Sequence, residues 1–499
     1  MGEDDVKMNS LRKTKGKVHL ISLGCDKNLS DSEKTLGLLI DEGYEYTDDP
    51  ETADIIVVNT CCFIKDAKTE SVETLINMAD LKEAKRREGK PLPVLIVMGC
   101  MAERYKDEIT ETLPEVDVLI GTNSWQDIIA SLNSFTLSGE KTDDFKPISD
   151  NEFIKHPVKR RLITAGGHYS YLKIAEGCGK NCTYCIIPKL KGHFRSVPME
   201  DLIEEAEGLA AEGVKELILV AQETTIYGTD LYGKKMLPEL LKKLNDIEGI
   251  EWIRLLYCYP EEITDELVEA IKTLPKVCHY IDMPIQHASD HILKRMARAT
   301  THDEITDRIA FIREQIPDII IRTTLISGFP GETERDHEIL KEFVSEMAFD
   351  RLGDFEYSRE EGTKAAAFSH QVSARLKAER RSEIMELQHD VVVKKAESRI
   401  GSIYRVMIEG RLTEDADSKV TDAEGIKAAH ESDTNANVSD AKASGSNPGN
   451  IYVGRTYMDA PDVDGLIYID TGSRQFMTGD MVNAIVTGVN EYDLIGRLI

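Results

Sequence analysis

The segment EGCGKNCTYCIIP places Cys178, Cys182 and Cys185 in a C-x3-C-x2-C spacing. Three soft thiolates so close along the chain can hold three corners of an iron-sulfur cube and leave the fourth iron without a protein ligand. Structural zinc normally takes four protein ligands, and no fourth lies close by. A distant fourth ligand, or three unligated core thiols, also fits the spacing. A second set stands upstream, where Cys25, Cys61 and Cys100 each end an apolar run: VHLISLGC, ADIIVVNTC and PVLIVMGC. Cys258 and Cys278 lie inside apolar strand-like segments and read as buried structural thiols.

The elements that must position these thiols show in the periodicity. In residues 1–135 the apolar runs alternate with amphipathic stretches such as DSEKTLGLLIDEG (Asp31 to Gly43), the pattern of a parallel α/β sheet with crossover helices. The carboxyl ends of such strands gather on one edge, so the three upstream cysteines can meet there. From 136 to 168 the sequence turns polar and poorly periodic, as in a linker. Residues 169–400 hold six strand-like segments (YLKIAE, ELILVAQ, WIRLLY, HYIDMPI, IIIRTTLISG and RLGDFEYS) separated by helical stretches. This predicts an open, partial (β/α)6 barrel with its site at the carboxyl ends of the strands. A charged, breaker-free segment from Ser373 to Ile400 closes the domain as a long helix. Short β-branched runs in 401–499 predict a small antiparallel β-barrel, interrupted at about 411–450 by a low-complexity insertion rich in Ser, Asp, Ala and Asn.

The fold class is thus α/β and multidomain, in a chain of 499 residues carrying 89 acidic and 61 basic side chains. A net charge of −28 argues against a phosphate-backbone binder and favours a basic partner or small substrates. Apolar runs such as VLIVM fall far short of the roughly 18 residues of a membrane span. The polar start MGEDDVKMNS lacks the apolar core of a secretory signal, so a cytoplasmic protein with no membrane partner is expected. In that reducing compartment nine cysteines, an odd number, point to metal binding rather than disulfides.

The Cys178 loop, with aromatic Tyr184 just before its last cysteine, resembles the cluster loop of the radical S-adenosylmethionine (SAM) enzymes. The resemblance implies a 4Fe-4S cluster whose open iron chelates SAM, which one electron cleaves to methionine and a 5'-deoxyadenosyl radical. Tyr184 would shield the cluster and pack near SAM, or serve only to pack the loop. SLGCDKNLSDSE, NTC and MGCMAERY narrow the resemblance to the methylthiotransferases, over nearly the whole chain. That family implies a second 4Fe-4S cluster on Cys25, Cys61 and Cys100 that carries the sulfur, a carboxyl-terminal TRAM domain, and two uses of SAM: methyl donor and radical source. Cys62 stands where the family usually has glycine; Cys61 follows Asn-Thr as the motif requires, so Cys62 is expected to point elsewhere.

GCDKNLSDSE, VAQETTIYG, PIQHASD and GRTYMDAPDVDG resemble the branch that modifies the β-carbon of an aspartate in ribosomal protein S twelve, rather than the branch that modifies tRNA adenosine. Residues 401–499 carry 16 acidic and 8 basic side chains, which suits a basic ribosomal protein better than tRNA, although a merely solvated acidic surface gives the same count. The resemblance also implies SAM contacts at strand ends: Gln222, Glu223, Ser289, Arg322 and Gly328. A plain strand-to-helix turn explains Gly328 and Gly331 nearly as well, and His287 reads equally as a substrate contact or a structural group. Asp459, Asp462 and Asp464, in a stretch between strands expected to be exposed, are candidates for contacting S twelve. A low-potential electron donor such as flavodoxin or ferredoxin is implied as partner. An iron-sulfur electron-transfer protein without chemistry of its own is the reading from another class, disfavoured by the open-site spacing.

Overall fold

The computed structural model describes residues 14–145, 161–164, 166–412 and 451–499. They form two compact units, one made of 14–145, 161–164 and 187–193 and the other of 166–186, 194–412 and 451–499.

In the first unit six strands, β1 (Lys17–Ser22), β2 (Glu45–Tyr46), β3 (Ile55–Thr60), β4 (Val94–Gly99), β5 (Val118–Ile120) and β6 (Thr142–Asp144), form one parallel sheet in the order β2-β1-β3-β4-β5-β6. All six residues of β3 are buried, as a central strand covered on both faces requires. Helices α1 (Asp26–Asp41), α2 (Lys65–Arg87), α3 (Cys100–Arg104), α4 (Ile128–Ser138) and α5 (Ile187–Lys191) belong to this unit. Its core joins Val18, Leu36, Val57, Ile96, Val118 and Ile128. The sheet therefore runs on into the stretch that reads as linker. β6 has the sequence TDD, without an apolar residue, and is a strand because its backbone pairs with β5 at Val118↔Thr142. Arg161 pairs with Glu33 of α1 at 2.7 Å, and the Thr164 amide donates to the same carboxylate at 2.8 Å.

The second unit opens with β7 (Tyr169–Lys173) and a small antiparallel pair, β8 (Ala175–Glu176) with β9 (Arg195–Ser196). Then come β10 (Glu216–Val220), β11 (Trp252–Leu255), β12 (Val277–Asp282), β13 (Ile320–Ser327) and β14 (Arg351–Glu356). The six long strands pair in parallel in the order β14-β13-β12-β11-β10-β7, the open barrel that the hydrophobic runs predict. Between β12 and β13 stands α6 (Asp290–Met296), and after β14 comes the long helix α7 (Ala374–Ser398), capped by Ser373, whose hydroxyl accepts from the Leu376 amide. Gln388 of α7 donates to the Phe349 carbonyl at 2.9 Å and fixes the helix against the sheet.

β15 (Ile403–Arg411), β16 (Ile451–Thr456), β17 (Ile467–Asp470), β18 (Met481–Asn490) and β19 (Asp493–Leu498) close a barrel in the order β15-β16-β17-β19-β18. It is not wholly antiparallel: β17 and β19 run parallel, with β18 as the return between them. Arg411 of the expected insertion belongs to β15, and residues 413–450 lie outside the described residues.

Two sets of buried charges join this barrel to the amino-terminal ends of the six strands. Glu216, the first residue of β10, accepts from Arg254 at 2.6 Å and lies 2.8 Å from Arg455 of β16. Arg455 continues to Glu409 at 2.6 Å, and Glu409 to His168 at 2.7 Å. Burial alone would raise Glu216, yet the two guanidiniums hold its carboxyl below the ordinary range. In the second set Arg351 pairs with Asp459, and Arg322 lies 2.9 Å from Asp282 and 3.4 Å from Asp464, which also accepts from the Tyr280 hydroxyl at 2.7 Å.

These partners overturn the expectation that all three aspartates of YMDAPDVDG are exposed. Asp459 is buried and the Asp464 side chain is 2% accessible. Asp462 alone is exposed, at φ 64°, where it accepts from the Tyr169 hydroxyl at 3.1 Å. Nothing near them in sequence reveals arginines more than a hundred residues away. Changing Asp459 and Asp464 to Asn strips Arg351 and Arg322 of buried counter-charges, at a cost of about 3 kcal/mol or more. The double variant is expected to melt well below the parent, while Asp462→Asn melts close to it; thermal unfolding of the three proteins checks this.

Candidate functional site

In the first unit the thiols sit where three neighbouring strands end. Cys25 follows β1 and caps α1, Cys61 follows β3, and Cys100 opens α3 directly after β4. Gly24, at φ 90°, lets them approach: a Cβ there would fall 2.4 Å from the Cys61 Cβ and 2.6 Å from its Sγ. Burial pushes the Cys61 thiol up to about 12, the Cys25 and Cys62 thiols add to the rise, and the Lys191 ammonium of α5 opposes it. Burial also raises Cys100 well above its ordinary value, with Lys191 again opposing and Cys61, Cys25 and Cys62 adding. The four sulfurs and Lys191 thus share one electrostatic neighbourhood. Cys62, expected to point elsewhere, is fully buried and acts on both neighbours.

In the second unit Gly177, at φ 79°, turns the chain out of β8 into the cysteine loop. The Lys180 amide donates to the Cys178 sulfur at 3.4 Å and the Cys185 amide to the Cys182 carbonyl at 3.1 Å. Thr183 clamps the loop to the end of α6, its amide donating to Met296 O at 3.0 Å and its hydroxyl to Arg295 O at 2.9 Å. Tyr184 meets Phe329 edge-on at 6.4 Å beside Ile292, Met296 and Phe368, so loop packing is part of its role. Burial pushes Cys178 up to about 11. All these cysteines are free thiols. Among the described residues no three side chains close on the position of a single metal ion. A four-iron cube spreads its ligands wider than one ion does, and its three protein ligands are thiols of the kind each set supplies.

The carboxyl ends of the strands add polar groups with open valences. Gln222 donates from Nε2 to Glu176 at 3.0 Å, while its buried Oε1 has no partner. Glu223 takes the Thr225 hydroxyl on one oxygen, has no partner on Oε2, and is pushed by burial up to about 8. Two orphaned acceptors at one strand end are what a cationic ligand group satisfies. The other expected SAM contacts have protein partners. Ser289 donates to Asp336, and the Ala288 and Ser289 amides donate to His287 Nδ1 at 3.0 and 2.9 Å, while the buried His287 Nε2 lies 3.7 Å from Glu332 without a hydrogen-bond partner. Gly328, at φ 74°, makes room for the stem of Lys377, whose Cγ would lie 2.3 Å from an added Cβ. Arg322 lies near the start of β13, held by Asp282 and Asp464, away from the carboxyl edge where the expected contact would be.

Sequence reasoning missed Arg298 and Asp354. Arg298 is 6% exposed, stacks 4.2 Å over Tyr259, places Nη2 3.6 Å from Glu261 and 3.3 Å from the Pro284 carbonyl, and leaves Nε and Nη1 without partners. Asp354 of β14 accepts from Ser327 at 2.6 Å, has no partner on Oδ1, and is pushed by burial up to about 7. An acid raised in this way holds its proton more tightly folded than unfolded, so its contribution to stability falls as pH rises from about 4 to about 7. Asp354→Asn removes the titration. The variant is expected to gain up to a few kcal/mol over the parent at about pH 8 and progressively less toward pH 5, by urea unfolding.

No helix among the described residues is long and apolar enough to cross a membrane. Residues 17–121 match the family described as uncharacterized protein family UPF0004, residues 172–344 the radical SAM superfamily, and residues 443–499 the TRAM domain. The chain is 52% identical over 480 residues to the ribosomal protein uS12 methylthiotransferase RimO of Lachnoclostridium phytofermentans, covering 96% of this chain and 99% of the relative. It is 45% identical over 488 residues to that of Acetivibrio thermocellus, covering 97% and 99%. Among solved structures, the radical S-adenosylmethionine methyltransferase TsrM of Kitasatospora setae is 14% identical with a TM-score of 0.49, covering 68% of this chain and 72% of that one.

Proposed function

Because the chain belongs to the RimO family of ribosomal protein uS12 methylthiotransferases, as its identity over nearly its whole length shows, we propose that it places a methylthio group on the β-carbon of an aspartate of uS12. In this reading Cys178, Cys182 and Cys185 hold a 4Fe-4S cluster with SAM, and Cys25, Cys61 and Cys100 hold a second one. When bound, these groups supply a radical for an unactivated C–H bond and a methylated sulfur to place there, chemistry beyond any side-chain acid or base.

The protein's own residues bind, orient and exclude water. Thr183 fixes the cysteine loop, and the Tyr184–Phe329 pair dries one side of it. Gln222 Oε1 and Glu223 Oε2 accept from the ammonium of SAM, and Arg298 donates from Nε and Nη1 to its carboxylate. Burial raises the Glu223 carboxyl to about 8 against the Thr225 hydroxyl and the Lys180 ammonium, and a docked ammonium would lower it again. A low-potential donor of the flavodoxin or ferredoxin type supplies electrons, and the setting is the cytoplasm. The observation that carries the reading is the 52% identity over 480 residues. It is tested by offering reconstituted protein, SAM and reductant both uS12 and tRNA. Mass spectrometry is expected to find the added methylthio group on uS12; methylthioadenosine in tRNA with unmodified uS12 would overturn the reading.

A further inference from the structure

A cavity of about 250 Å³ opens in the second unit between the amino-terminal ends of β13 and β14 and the β15–β19 barrel, lined by Arg313, Asp350, Lys395, Arg399, Tyr404 and Tyr457 among others. Its lining carries three cations, Arg313, Lys395 and Arg399, against two carboxylates, Asp350 and Asp318. Asp350 is the inward carboxylate, taking Lys395 at 2.8 Å and Arg399 at 3.5 Å on Oδ1 and the Ile321 amide at 3.2 Å on Oδ2. Asp318, the other acid of the lining, is 59% exposed and bonded to His279 at 2.7 Å. Arg313 donates to the Met347 and Ala348 carbonyls at 2.6 and 3.1 Å, with no carboxylate in ion-pairing range among the described residues. Three cations therefore surround one carboxylate that two of them already share. Burial lowers the Lys395 ammonium, and the Arg313 and Arg399 charges add to that against Asp350. In a chain of net charge −28, such local excess calls for an anion.

The wall beside these cations is aromatic. Tyr404 and Tyr457 stand with ring centroids 6.4 Å apart at 48°, and Tyr457 is fixed by donating to the Asp318 carbonyl at 3.1 Å. Guanidinium and ammonium groups suit phosphate oxygens, and phenol rings offer a face to a base. We propose that this cavity binds a nucleoside phosphate, with the phosphate on Arg399, Lys395 and Arg313 and the base against Tyr404. The volume is of the size of one nucleotide. The site is independent of the cysteine loops and stands whether or not the proposed reaction is correct.

A free nucleotide and a nucleotide within RNA share this chemistry, and the test separates them. Full-length reconstituted protein, saturated with SAM to occupy any adenosyl site, is titrated with uridine monophosphate, inorganic phosphate, uridine and a short oligouridylate at low and high salt. Uridine monophosphate is expected to bind more tightly than phosphate, with a salt-dependent affinity, and uridine not measurably. Arg399→Gln is expected to weaken uridine monophosphate about tenfold or more, the loss expected for a charge-assisted hydrogen bond. Tyr404→Ala is expected to weaken uridine monophosphate while sparing phosphate, with SAM affinity unchanged in both variants. If Arg399→Gln melts early, Arg399→Lys, which keeps the charge, is expected to retain phosphate binding. An oligouridylate bound far more tightly than the mononucleotide assigns the site to RNA, and equal affinities assign it to free nucleotides. Absence of binding by all phosphate-bearing probes, or binding that Arg399→Gln in a folded protein leaves unchanged, overturns the proposal.

Discussion

Replacing Cys178, Cys182 and Cys185 together by alanine is expected to remove about half the iron of anaerobically reconstituted protein and to abolish formation of 5'-deoxyadenosine from SAM. The loop has no other thiol, and Thr183 rather than any of the cysteines ties it to the Arg295 and Met296 carbonyls. The fold should therefore survive while the ligands go. Because the other thiols lie in the other compact unit, the remaining iron should keep the spectrum of an intact cluster. Full iron retention in the triple variant would remove this loop from cluster binding.

The complementary variant, with Cys25, Cys61 and Cys100 changed to alanine, is expected to lose the other half of the iron, to keep cleaving SAM reductively, and to form no methylthiolated product. The three thiols are gathered by the ends of β1, β3 and β4, far in sequence from the residues that would hold SAM. Radical formation and sulfur supply should separate cleanly. Cys62→Ala is the sensitive control. This thiol is fully buried beside Cys61 and Cys100, so its loss leaves a small cavity and shifts the cluster's surroundings without removing a ligand. Iron content close to the parent's is expected, and a loss equal to that of Cys61→Ala would make Cys62 the ligand. Normal product from the Cys25, Cys61 and Cys100 variant would reject the division of labour.

What was legible in the sequence follows from range. β3, β4 and β10 are largely continuous apolar runs because buried parallel strands have no solvent face, and their positions emerge from hydrophobicity alone. The C-x3-C-x2-C loop is likewise a local pattern. β6 was not legible, since TDD is a strand only by pairing with β5. Asp459 and Asp464 read as solvent-facing turn acids because Arg351 and Arg322, which bury them, are distant in sequence. Gly328 suggested room for a ligand where the structure puts Lys377. Arg298 carried no signal at all, as its open donors at the end of α6 arise from packing against Tyr259.

The central claim, that this chain methylthiolates uS12, is tested most directly by mass spectrometry of tryptic uS12 and of total tRNA nucleosides from cells with and without the gene. The account predicts a uS12 peptide heavier by one methylthio group in place of one hydrogen, located on an aspartate, present only with the gene and restored by the parent but by neither triple cysteine variant. A uS12 peptide of identical mass in both strains, with methylthiolated adenosine lost from tRNA when the gene is removed, would contradict it.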